Sequence, residues 1–565
     1  MKKIIYSAIL AAAAMASMTS CEDMMDPKSG SYLYDEDLNL NSPNDSLYTM
    51  AALLTKVQQL GDRYVLFGEL RGDLVSVSPD ANIEFKNLSE FTPQENDTYL
   101  RRSDFYAVIN HCNWIISKMD PTVTKNNEAV LADEYATAVL YRAWTYLQLG
   151  LAYGSAEWIT EPVLSLEDSE KEYPVVQLDE LVKRLITEVE PYVSELRPNF
   201  GEIDGTDARK FFLVPSMFLG DHYLYDGRYD NAAMMYWNAI NDNKLVMGDN
   251  CIQFNSNTQR LQLSSTSFRN TYIDECVTAI PYSTAAKDYH PTILKLTYSF
   301  TPSIKPAAWW IDNMAQYNYY FGTKNYNQNS FTMAEAGGDL RAAVKFADER
   351  ISDGGSAGYF YNRQGSDCSL IINKFSSNAH FFSEASMPDD SEYNDPRGVT
   401  SLAIERIPHA YLRFAEAVNR LGKPTLAYAV IRYGLNTETL TDEDKINPDE
   451  LESGEPWLAW GETFLENNIG SAQRGRGYGI AYPEATDEAL PTDLTDNELM
   501  LWIEDRIADE LAAETAFEGN RFFDLARIAH HRADDSWFAE RVSRRFDNPS
   551  QAKSLLSNRA NWFIR

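Results

Sequence analysis

The chain has 565 residues, enough for a large core or several domains, and a hydrophobic content of 44% commits most of that length to folding. With 83 acidic residues against 50 lysines and arginines, its formal charge is −33. A polyanion of this size repels nucleic-acid phosphates and anionic headgroups, which excludes DNA or RNA binding and attachment to an anionic membrane through surface charge.

Residues 1–20 read as a lipoprotein signal peptide. Lys2 and Lys3 give a short positive region, and Ile4 to Met18 form an apolar stretch interrupted only by Tyr6 and two serines. That stretch is shorter than the ~20 residues a membrane-spanning helix needs, and it fits the hydrophobic region of a signal peptide. Thr19 and Ser20 then place small residues just before Cys21. This order predicts cleavage before Cys21 and lipidation of its thiol; an ordinary secretory signal followed by a chance cysteine is the alternative. Acyl chains on one cysteine anchor stably because each buried methylene adds about 0.8 kcal/mol. Residues 21–45 begin with Glu22, Asp23 and Asp26 and are rich in Asp, Asn, Ser, Gly and Pro, the composition of a flexible tether.

The remainder, 46–565, reads as a single mainly α domain. It is a broken tetratricopeptide-repeat helical scaffold with long irregular loop insertions and a few short strands. The clearest repeat lies near 214–245, where Gly220, Tyr223, Gly227, Tyr229, Ala232, Tyr236 and Ala239 carry the repeat's small and large residues in order. Small residues let the two helices of a repeat approach, and large ones fill the gap between repeats. Looser helix pairs fall near 133–196 (Ala143, Tyr146, Gly150), 405–435 (Ala415, Gly422, Ala427) and 497–530 (Ala512, Gly519). Insertions near 61–100 and 250–400 separate them, and long irregular segments in a compact domain are where binding surfaces are built.

Enzyme signatures are weak. Gly354-Gly355-Ser356-Ala357-Gly358 matches a nucleophile elbow literally, but its flanks are polar before and strand-like after, so it reads as a glycine turn. His530 and His531 are adjacent, so they diverge on a helix and make no metal pair. The glycine-rich Gly475–Gly479 lacks the strand–helix frame and the lysine of a phosphate loop. Neither a metal nor a cofactor is predicted, and the chain reads as a non-enzyme. A glycosidase would need two carboxylates set across a cleft, which spacing alone does not reveal. Cys112, Cys251, Cys276 and Cys368 are scattered, which favours isolated buried thiols over a disulfide such as Cys251–Cys276.

Binding chemistry is better marked. Trp309 and Trp310 with Tyr317, Tyr319, Tyr320 and Tyr326 are interleaved with Asn313, Asn318 and Asn325. Sugars stack C–H faces on such rings and pair hydroxyls with such amides, so Trp309, Trp310, Tyr317 and Tyr320 are candidate ligand contacts. The alternative is that Trp309 and Tyr317 line one buried face. Trp457 and Trp460 read as scaffold packing.

Four local motifs resemble one family. Glu518-Gly519-Asn520-Arg521-Phe522-Phe523-Asp524-Leu525-Ala526-Arg527 looks like its C-terminal signature, and Tyr411-Leu412-Arg413-Phe414-Ala415-Glu416-Ala417-Val418-Asn419-Arg420 looks like one of its helices. Tyr106, Ile109, Asn110 and Asn113, and then Tyr141-Arg142-Ala143-Trp144 through Tyr153-Gly154, fit two more. With the lipoprotein start and the broken repeats, the chain resembles the SusD/RagB family of nutrient-uptake outer-membrane lipoproteins over essentially its whole length.

The resemblance implies a cell-surface protein, lipid-anchored in the outer membrane, that captures an oligosaccharide, or in some branches a peptide. It implies delivery to a TonB-dependent transporter of the SusC type, over which the protein closes as a lid. It also adds Arg71, Asp73, Tyr99 and Arg102 as candidate ligand contacts, because family contacts come from these regions; a simple turn is the alternative for Arg71–Asp73. Gly470-Ser471-Ala472-Gln473-Arg474-Gly475-Arg476-Gly477 departs from the family pattern, which leaves the ligand class open. A surface glycoside hydrolase and a pure interaction scaffold are the readings from other classes.

Overall fold

The computed structural model describes residue 40 and residues 43–564, except 95–96, 204, 249–251, 256–259, 264–274, 283–291, 323–330, 334–337, 343, 346–350, 353–354, 362–367, 376–400, 453, 461–462 and 483–484. The signal peptide, Cys21 and nearly all of the tether, with Cys251, Asn325, Tyr326 and Gly354, lie outside the described residues. No described helix is long and apolar enough to cross a membrane.

The architecture is mainly helical. The first helices are α1 (Pro43–Gln58), α2 (Gly61–Leu70), α3 (Ile83–Ser89), α4 (Arg102–Lys118), α5 (Ala132–Tyr153) and α6 (Leu178–Val189). After these come α7 (Pro215–Tyr225), α8 (Tyr229–Asp242) and, in the long middle segment, α9 (Ala308–Ala315). The C-terminal half supplies α10 (Ile407–Arg420), α11 (Pro424–Arg432), α12 (Ser471–Arg476), α13 (Asp496–Glu514), α14 (Arg521–Arg532), α15 (Asp535–Ser543) and α16 (Pro549–Leu556). Consecutive helices pack in a chain: α4 on α5, α5 on α6, α6 on α7, α7 on α8, α8 on α10, α10 on α11 and α13, and α13 on α14.

The α7–α8 pair shows why the small-residue spacing works. A Cβ on Gly220 would sit 2.7 Å from the Tyr236 ring, so only glycine lets the two helices close. Ala232, Tyr236 and Ala239 are fully buried along the seam, and the Tyr236 hydroxyl donates to Asp221 Oδ1 at 2.7 Å. The apolar face thus carries the packing, while the tyrosine's polar tip still finds a partner.

The segment 61–100 differs from its sequence expectation. It is not an irregular loop: α2 and α3 occupy much of it. Its glycines serve close packing. Gly68 faces the Gly519 backbone so closely that a Cβ there would collide with the Gly519 carbonyl. Asn82 caps α3 by accepting from the Glu84 N–H at 3.1 Å. Replacing Gly68 by alanine should force α2 away from the 517–520 turn and lower stability by ~3 kcal/mol. A lowered urea midpoint with unchanged slope is the expected readout.

The described strands pair two at a time. Strand β1 (Val75–Val77) runs antiparallel to β3 (Ile304–Pro306), and β2 (Cys276–Pro281) runs antiparallel to β6 (Ser401–Arg406). Strands β4 (Ala357–Tyr361) and β5 (Cys368–Ile372) form a hairpin. Ser356 therefore leads into a strand, its N–H donating to the Arg341 carbonyl at 2.9 Å, and no helix follows as a nucleophile elbow requires. Cys112 and Cys276 are buried free thiols, and burial pushes both up to about 12. Trp457 and Trp460 are buried against Phe414 in the scaffold.

Candidate functional site

The β1–β3 pairing sets Val75 opposite Pro306, and the Ala307 N–H donates to the Leu74 carbonyl at 2.7 Å. This fixes the start of α9 and so the directions of its two tryptophans. Trp310 turns inward, 1% exposed, with its ring edge-on to Phe517 at 5.3 Å between centroids. Trp309 turns outward and is half-buried. Its Nε1 donates to the Asp73 carbonyl at 2.6 Å, which holds the indole plane.

One turn along α9 comes Asn313, and just past its end comes half-buried Tyr317, with the Arg476 guanidinium 4.3 Å from its ring centroid. Trp309, Asn313 and Tyr317 line a shallow crevice with Asp339, Arg341, Asp509 and Glu510, whose free volume of ≈ 10 Å³ is room for about one water. Pockets that engulf a small molecule run to ~300–1,000 Å³. A saccharide would therefore lie across these rings rather than sink between them.

The other candidates are placed differently. Tyr320 is buried, and its hydroxyl donates to Asp487, so burial and that carboxylate raise its pKa well above the usual phenol range. Tyr99 is half-buried with its ring edge against Phe85 at 5.1 Å. Arg102 is exposed, with its guanidinium 4.4 Å from the Tyr153 ring centroid. Neither Tyr99 nor Arg102 lines the Trp309–Tyr317 crevice.

Arg71 and Asp73 are spent inside the protein, at 1% and 0% exposure. The Arg71 guanidinium donates to the carbonyls of Phe67 at 3.0 Å and Trp562 at 3.0 Å, and stacks 3.9 Å from the Phe522 centroid. Asp73 takes a two-pronged bond from Arg521 at 2.6 and 3.0 Å. Sequence placed this Arg-Gly-Asp run at a ligand; here it pins the end of α2 to α14 and the C-terminus. A buried charge needs a partner, and for both residues that partner is the protein itself. Trp310 and Tyr320 are likewise packed inside, which leaves Trp309 and Tyr317 as the presented rings of that run among the described residues.

Beneath the crevice lies a buried charge network that sequence reading did not find. Arg341 binds Asp339 at 2.6 Å, Glu510 at 2.9 Å and Glu514 at 2.9 Å. Arg474 joins Glu514 at 3.1 Å to Glu275 at 2.8 Å, and Arg406 joins Glu275 to Glu518, both at 2.7 Å. Arg476 reaches Glu488 at 2.7 Å and also Glu510, and Lys374 pairs with Glu518. The arginines of the divergent Gly470–Gly477 stretch are therefore interior locks between α12, β2, β6 and α13.

The electrostatics follow from this pairing. Burial alone would push Asp339 up, but Arg341 and Arg476 outweigh it and hold the carboxyl below the usual range. Burial likewise opposes and Arg541 overcomes it at Asp509, to which Arg541 donates at 2.7 Å. Every acid lining the crevice is engaged by an arginine, and Asp339 and Asp509 are held ionised as fixed charges. The crevice offers flat rings, one amide and fixed charge, which is equipment for binding.

The half-exposed rings of the long middle segment thus sit on a scaffold of mainly α class. Its fold is the SusD-like fold. A SusD-like carbohydrate-binding protein from Bacteroides vulgatus matches at a TM-score of 0.53 with 15% identity, over 86% of this chain and 84% of that one. A SusD-like carbohydrate-binding protein from Bacteroides fragilis matches at 0.53 with 15% identity, covering 88% of each chain. NanU of B. fragilis matches at 0.52 with 18% identity, over 95% of this chain and 98% of its own. No protein-family model and no curated protein matches the sequence.

Proposed function

We propose that this protein is a cell-surface lipoprotein, held in the outer membrane through Cys21, that captures oligosaccharides and delivers them to a SusC-type TonB-dependent transporter as its lid. The observation that carries the reading is the pair of half-exposed rings, Trp309 and Tyr317, set astride Asn313 on a SusD-like fold. Solved proteins of this fold are named as carbohydrate-binding, which supports capture without bond cleavage. The ordered signal-peptide features before Cys21 support the anchor. The anchor and the fold together support the transporter partnership.

Calorimetry of the chain from residue 22 against plant, host and microbial glycans and a peptide digest tests this. One glycan class should bind with no release of reducing ends. Trp309→Ala should then weaken binding about tenfold, or ~1.4 kcal/mol. Release of reducing ends would make the protein a hydrolase. Binding of the digest alone would make it a peptide carrier.

A further inference from the structure

The following assignment rests on the glycan-capture reading and specifies the chemistry of the sugar. Arg544, just past the end of α15, is exposed, and its guanidinium lies 5.5 Å from the Trp309 ring centroid. Its guanidinium has no hydrogen bond or ion pair among the described residues. Glu540, one turn earlier, feels its charge but is engaged by Lys553. A second guanidinium, that of Arg506 on α13, lies over the Trp502 ring. Arg506 is half-buried, its guanidinium is 4.9 Å from the Trp502 centroid, and its Nε has no partner. Its charge is also felt by the Tyr317 hydroxyl. The neighbouring acids are taken, Asp509 by Arg541 at 2.7 Å and Asp505 by Arg541 and Arg532 at 3.1 and 3.2 Å.

Carboxylates are in surplus in this chain, at 83 acids to 50 bases. Arg544, which pairs with no carboxylate among the described residues and lies beside Trp309, makes a place where a positive charge awaits an anion from outside. A guanidinium stacked on an indole keeps its edge donors free, and that edge fits a carboxylate in two-pronged fashion.

We propose that the ligand is an acidic oligosaccharide whose sugar ring lies on Trp309 and whose carboxylate is taken by Arg544. The rings supply affinity common to all sugars, and Arg544 selects the carboxylated ones.

The test uses oligogalacturonides, alginate oligomers, hyaluronan oligomers and sialylated lactose, each paired with its counterpart in which the carboxyl is reduced to an alcohol. At least one acidic member should bind, its reduced counterpart should bind about tenfold more weakly, and added salt should erode the difference. Arg544→Gln, at an exposed site, should keep the thermal melt of the parent and lose about tenfold on the acidic sugar only. Trp309→Ala should weaken acidic and neutral sugars alike. Equal binding of acidic and reduced sugars, or an unchanged affinity in Arg544→Gln, overturns the assignment and leaves glycan capture standing. Silence toward both sets removes the assignment and the glycan reading together.

Discussion

Truncating Arg474 to alanine is expected to lower stability by about 3 kcal/mol, because it takes one shared positive charge away from two interior carboxylates. Arg474 is 0% exposed and holds Glu275 and Glu514 at once. Neither acid is relieved by water: Glu514 is itself 0% exposed and Glu275 is 8% exposed. Each keeps other arginines, Arg406 for Glu275 and Arg341 for Glu514, and those were already shared with further acids. The deletion therefore spreads an excess of negative charge through the whole cluster. The measurement is the shift of the urea midpoint, with circular dichroism to confirm retained helix. A loss below about 1 kcal/mol would show that the cluster behaves like solvated surface pairs.

The second large effect is a pH dependence centred on Glu69. This carboxyl is buried on α2, where Oε1 accepts the Gly519 N–H at 2.8 Å and Oε2 has no partner. Burial pushes its pKa up to about 8, more than the Gly519 bond and Arg521 pull it down. The folded value thus exceeds the ordinary 4.5. Its contribution is fully present below pH ~4.5 and is lost as pH rises through that value towards 8, to a total of ~5 kcal/mol. Glu69→Gln removes the ionisation, so it should leave stability little changed in acid and raise it by several kcal/mol at pH ~8. Parallel melts of both proteins across pH measure this. Equal slopes for the two would assign the alkaline loss to other groups.

How much of this was legible in the sequence depends on how far apart the cooperating residues lie. The α7–α8 seam was readable because helix packing writes small and large residues at fixed short spacing, and Gly220 and Tyr236 obey it. Helix α2 was not, since Gly61, Gly68 and Gly72 look like loop punctuation until their neighbours are known. Gly68 is small because of Gly519, hundreds of positions away, and nothing local says so. The charge network is hidden for the same reason. Arg474 meets Glu275, and Arg341 meets Glu510 and Glu514, across separations that no window spans. The only signal was negative: two arginines in a glycine-rich stretch that departed from the family pattern. At the candidate site, sequence found the aromatic run but not its orientation. One residue's step along α9 sends Trp310 into the core and leaves Trp309 at the surface, and the β1–β3 register decides which is which.

The contact between α2 and the 517–520 turn has a mechanical consequence. Stacked helical repeats ordinarily behave like an open spring: each unit touches only its neighbours, and the ends fray first. Here an early helix and a late turn are clasped backbone to backbone through Gly68 and Gly519, with Arg521 gripping Asp73 alongside. A spring clasped between two such points closes a loop, and a load applied at α2 is shared directly with the 517–520 turn.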